Sequence, residues 1–81
     1  MLNLARESRL SEKEVLEKAR NFFGPGGYGL AIVDEAPGYI AFEGGGGGVE
    51  VITRPEGNKT GVEITSREWD IQAREFIGKI K

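Results

Sequence analysis

The side chains best suited by type to acid–base work are Glu43, Glu50 and Glu63, which fall on neighbouring strand-like segments. Paired carboxylates can exchange protons or hold a hard cation. No D-x-D-x-D spacing accompanies them. Charges on strands also discourage edge-to-edge aggregation, and that is the expected role here. Gly24-Pro25-Gly26-Gly27-Tyr28-Gly29 matches G-x-G-x-x-G, but it follows a helix and precedes a strand. A dinucleotide site needs the reverse order, with the pyrophosphate at a helix N-terminus. A helix stop is therefore expected. The run Gly44, Gly45, Gly46, Gly47, Gly48 is a candidate functional loop, since glycine backbone can cradle a phosphate. No Lys-Ser/Thr follows it, and a mobile hairpin loop is the preferred reading. Tyr28 and Tyr39 can stack a ring, although a strand tyrosine is more often half-buried with a wet hydroxyl. Trp69 with Asp70 reads as a core anchor opening a helix.

What is missing narrows the chemistry further. There is no cysteine and no histidine. Disulfides, thiolate ligands and thiol nucleophiles are excluded, and so are the commonest general base and metal ligand. No catalytic, cofactor or metal residues are assigned. The formal charge is −2, and the eleven cations are scattered along the chain. A net negative field disfavours nucleic acid.

These residues must be held by elements that 81 residues can build, which means one small domain. Residues Met1–Leu10 are left as an uncertain arm. They contain no apolar run long enough for a signal peptide or membrane span, so the cytoplasm is the expected location. The domain itself spans residues 11–81. Ser11 and Glu14 form a capping box, and Val15, Leu16, Ala19, Phe22 and Phe23 make a helical apolar stripe ended by Gly24-Pro25. Strands are expected at Tyr28–Asp34, Tyr39–Glu43, Val49–Arg54 and Thr60–Ser66, with turns at Ala36-Pro37-Gly38 and Pro55-Glu56-Gly57-Asn58. Such short links force antiparallel neighbours. A second helix carries Trp69, Ala73, Phe76, Ile77 and Ile80, with a capping box expected at Thr65 and Glu68. Glu14–Lys18, Asp70–Arg74 and Glu75–Lys79 are expected as i,i+4 ion pairs. The fold class is therefore α+β: a four-stranded antiparallel meander with both helices on one face, in the order α-β-β-β-β-α. The other face would carry an apolar patch at Val33, Tyr39, Ala41 and Ile52.

The Phe-Glu-Gly-Gly-Gly-Gly stretch at Phe42–Gly47 and the Thr-Ser-Arg-Glu-Trp-Asp stretch at Thr65–Asp70 resemble a group of small prokaryotic proteins with no assigned activity. The element order from Ser11 to Ile80 resembles one half of the TATA-box-binding-protein-like fold. That family's DNA-binding face is basic with intercalating phenylalanines. This sheet offers Glu50 and Glu63 instead, so DNA binding is not carried over.

The leading expectation is a non-catalytic interaction module, most simply a homodimer formed through the exposed sheet face or an edge strand. The alternative is a small-ligand carrier with a pocket between helices and sheet, which requires unfilled volume near Phe22, Phe42 and Phe76. An enzyme built on carboxylates, lysine or tyrosine is the third reading.

Overall fold

The computed structural model describes residues 1–81. Its elements are β1 (Leu2–Ser8), α1 (Glu12–Phe23), β2 (Ala31–Ala36), β3 (Tyr39–Gly44), β4 (Gly47–Glu56), β5 (Lys59–Arg67) and α2 (Asp70–Lys79). The sheet has five antiparallel strands in the order β1-β5-β4-β3-β2. This corrects the four-stranded expectation. The N-terminal arm is a full edge strand, paired with β5 from Leu2↔Ser66 to Ser8↔Thr60. Its period-2 pattern is real but modest. Leu2, Leu4, Arg6 and Ser8 face the helices, and Asn3, Ala5 and Glu7 face water. An arginine on the inward row obscures the alternation, and only pairing with β5 makes the segment a strand.

Helix α1 forms for local reasons. The Ser11 hydroxyl accepts from the Glu14 N–H at 3.1 Å, and the Glu14 carboxylate accepts from the Ser11 N–H at 2.9 Å. At the other end, the Tyr28 and Leu30 N–H groups donate to the Phe22 and Phe23 carbonyls. The G-x-G-x-x-G string therefore serves as a helix stop that satisfies terminal carbonyls. The first strand of the meander starts at Ala31, and Tyr28 stays in the connection.

The two helices share the sheet between them. Helix α1 lies over β3 and β4, and α2 lies over β5 and β1. The inward row of the sheet is as its alternation predicts. Leu30, Ile40, Phe42, Val49, Val51, Val62 and Ile64 are buried, and Ile32 packs against them half-buried. Phe23 joins the layers, with ring centroids 5.5 Å from Phe42 and 5.4 Å from Phe76. Each fully buried ring contributes roughly 1.5–3 kcal/mol relative to exposure.

The second helix departs from expectation at its start. Strand β5 continues to Arg67, and Thr65 and Glu68 form no capping box. Thr65 lies on the water-facing row and its hydroxyl donates to Asn3 Oδ1 at 2.9 Å. Ser66, one residue on, points inward. Its hydroxyl accepts from the Trp69 N–H at 3.2 Å and donates to Asp70 Oδ1 at 3.0 Å. Glu68 takes a left-handed φ of 68° to turn the chain. The expected i,i+4 pairs do not close as ion pairs. The four ion pairs are Arg20–Glu35, Arg54–Glu63, Lys59–Glu7 and Arg67–Glu43, all between elements or strands.

Candidate interaction surface

The open face of the sheet is built from the water-facing row of each strand. Tyr39 and Ile52 are directly opposite one another on β3 and β4, and both are half-buried. Ala41 lies two residues along β3 from Tyr39 on the same row and is 6% exposed. Val33 sits where the β2–β3 register slips between Ile32 and Asp34, and it is 53% exposed. A bulge re-aims the side chain it carries. Val33, Tyr39 and Ala41 line a shallow hollow of about 590 Å³ together with Asp34, Glu50 and Arg67. The structure thus brings the four candidate interface residues to one corner of one face. The bulge that exposes Val33 had no signal in the sequence.

The rest of the face is polar and internally paired. The Tyr39 hydroxyl donates to Glu50 Oε2 at 2.8 Å. That bond, with partial burial and the charges of Glu50 and Asp34, raises the Tyr39 pKa above its ordinary value. Arg54 pairs with Glu63, and Arg67 approaches Glu43 at 3.8 Å. The three strand glutamates singled out for chemistry therefore take three different partners. No group of three acidic side chains gathers in a metal-binding arrangement.

The glycine run is a tight turn in place of a five-residue loop. Gly44 ends β3, Gly47 and Gly48 begin β4, and only Gly45 and Gly46 form the link. Their φ values of 58° and 81° are those a two-residue hairpin turn demands. Trp69 lies on the turn. Its indole N–H donates to the Gly44 carbonyl at 2.9 Å, and a Cβ on Gly45 would come within 3.0 Å of its ring. A Cβ on Gly47 would collide with the Arg67 carbonyl of β5. Trp69 is thus half-buried and anchors a hairpin, not only a helix. Tyr28 packs edge-on to Trp69 and Phe22, and its hydroxyl donates to Glu75 at 3.2 Å. Desolvation, then that bond, raises the Tyr28 pKa.

The sheet has two exposed edges of different character. Strand β2 is bulged at Val33, charged at Asp34 and Glu35, and followed at once by Pro37. Strand β1 pairs in unbroken register over all seven residues and contains no proline. No helix of the structure is long and apolar enough to cross a membrane. Comparisons with protein-family models, curated proteins and solved structures find no match to this chain.

Proposed function

We propose that the protein is a non-catalytic interaction module that works as a homodimer, joined through the β1 edge. The difference between the two edges carries this reading. An edge strand leaves alternate backbone N–H and C=O groups unpaired, and proteins blunt such edges with bulges, charges and proline. Strand β2 has all three devices. Strand β1 has only scattered charges and stays regular. A second β1, antiparallel about Ala5, places Asn3 opposite Glu7 of the second copy and Leu4 opposite Arg6, with the small Ala5 at the axis. Because β2 offers no matching edge, pairing closes at two chains and does not propagate.

Native mass spectrometry of the full chain tests the reading. A dimer is expected. Ala5 is exposed on the open-face row, so Ala5→Lys leaves the core untouched and sets two like charges directly opposite each other across the axis. That variant is expected to be monomeric, and a variant that stays dimeric removes the β1 edge from consideration.

A second reading rests on the exposed Val33 beside Tyr39, Ala41 and Ile52. Ile52→Glu yields monomers if that corner is the contact and leaves the dimer intact if β1 is. The carrier alternative has less support. Phe22, Phe23 and Phe76 stack with centroids 4.9–5.5 Å apart, and Phe23 packs on Phe42 in the space a pocket would need. The hollow at Phe22 and Phe76 is a groove of about 280 Å³ open to solvent between Lys18 and Lys79.

A further inference from the structure

Positive charge collects at the end of the sheet opposite the glycine turn. A cleft of about 410 Å³ is lined there by Arg6, Glu7, Ser8, Arg9, Lys59 and Lys81, with no apolar side chain. Four of the eleven cationic side chains and one of the thirteen carboxylate side chains line it, an excess of three positive side chains on a chain of formal charge −2. Only Lys59 has a carboxylate near, Glu7 at 3.8 Å, and both are about half exposed. None of the four ion pairs involves Arg6, Arg9 or Lys81. By contrast Arg20, Arg54 and Arg67 each meet a glutamate.

Arg6 is the fixed member of the group. It rises from the inward row of β1, and its Nη1 donates to the Ile77 carbonyl at 3.0 Å. The carbonyl end of a helix favours a cation, which accounts for this one bond. It does not account for Arg9 on the β1–α1 link or Lys59 on β5. Nor does it use the guanidinium fully. The Arg6 Nε–H is shut off from solvent and has no acceptor in the protein. A ligand in the cleft therefore reaches the guanidinium through Nη2, which makes no bond within the protein and is not shut off in this way. A guanidinium presents its donors in a planar fork that matches an oxyanion.

We propose that this cleft is an oxyanion site that takes the phosphate of a small phosphomonoester. Arg6 is the positioned donor, and Arg9, Lys59 and Lys81 are the exposed cations around it. The volume falls in the range of small-ligand sites, roughly 300–1,000 Å³. A long polyanion is a poor fit. The adjoining hollow shares Arg6 and Glu7 and carries Glu56 together with the paired Arg54 and Glu63, so it adds no net positive charge to hold a phosphate chain leaving the cleft.

The test is an NMR titration of the ¹⁵N-labelled full chain with inorganic phosphate and with glycerol 3-phosphate, against sodium chloride at matched ionic strength. The expected result is saturable shifts confined to Arg6–Leu10, Lys59–Thr60 and Ile80–Lys81, together with the Arg6 guanidinium signals. Half-saturation is expected at about 1 mM or below. The exposed pair Arg9→Ser/Lys59→Ser, which leaves the Arg6–Ile77 bond in place, should weaken binding by about tenfold. Arg6→Lys keeps the charge, loses the fork and should weaken it as well. Shifts that chloride reproduces, shifts centred elsewhere, or a double variant that titrates like the parent chain would overturn the site. Tighter saturation by a short single-stranded oligonucleotide would overturn the small-molecule assignment. Arg6 and Glu7 also lie on the β1 edge, so the titration is run on the parent chain and on Ala5→Lys; no saturable shift in either chain overturns the cleft and leaves the β1 pairing, which native mass spectrometry reads, standing.

Discussion

Helix α1 begins at Ser11, whose hydroxyl and backbone N–H are both bonded to Glu14, and its last carbonyls are met by the residues that follow it. Helix α2 begins at Trp69 with no side-chain cap of its own. Its start is held by Ser66 of β5 and by the Trp69 indole on the β3–β4 turn, and its end by Arg6 of β1. Both helices bury an apolar stripe on the same face of the sheet. The first carries its instructions within its own stretch, and the second is placed by partners up to 71 positions away. A ten-residue helix is marginal alone, so α2 depends on those partners.

The largest effect is expected where α2 meets the core. Phe76 is 1% exposed and stacks on Phe22 and Phe23. Phe76→Ala should cost about 3–5 kcal/mol in urea unfolding, a large share of a small domain's stability. A loss under about 1 kcal/mol would mean that α2 stands without its docking, and the contrast would break. Trp69→Phe is the finer version. It keeps a ring and removes the donor to Gly44, for an expected cost of about 1–3 kcal/mol. The loss should appear as faster amide exchange in both α2 and the β3–β4 turn. Faster exchange in α2 alone would show that the tryptophan does not join the two.

The same contrast explains what the sequence reveals. Helix α1 is legible because Ser11-x-x-Glu14 and the stop at Gly24-Pro25 act within a few residues. The inward row from Leu30 to Ile64 is legible because strand alternation has a fixed period. The start of α2 is misread because Thr65-x-x-Glu68 has the right residue types, yet burial turns Ser66 inward and gives it the work. Strand β1 is hidden by Arg6, whose inward position makes sense only once the carbonyl of Ile77 is in place. The glycine run is opaque for a related reason. Gly45 answers to Trp69 and Gly47 to Arg67, both distant in sequence. At the candidate interface, Tyr39, Ala41 and Ile52 follow from alternation, but the exposure of Val33 depends on a register slip that has no composition signal.

On the α1 side the effects are smaller because the interactions are exposed. Ser11→Ala removes the cap and should cost about 1 kcal/mol in urea unfolding. A cost as large as that of Trp69→Phe would blur the distinction between a helix that carries its own signals and one that is docked.

The smallest effect tests the other half of the same box. The Ser11 backbone N–H first, then the Ser11 side chain, hold the Glu14 carboxyl below its ordinary range against an opposing effect of desolvation, with the Lys18 charge as the least of the contributions. The folded chain therefore binds that proton less tightly than the unfolded chain does. Linkage then fixes the sign. The stabilisation is fully present above the ordinary glutamate range, begins to fade as the pH falls below about 4.5, and is gone once the folded-state carboxyl is protonated. Glu14→Gln keeps an acceptor for the Ser11 N–H but carries no titrating group. The Tm difference between the parent chain and Glu14→Gln, followed from about pH 7 down to pH 3, should therefore narrow at the acid end. A constant difference would mean that the carboxylate adds nothing beyond a neutral acceptor. Helix α1 would then rest on its hydrogen bonds and stripe alone, closer to α2 than its sequence suggests.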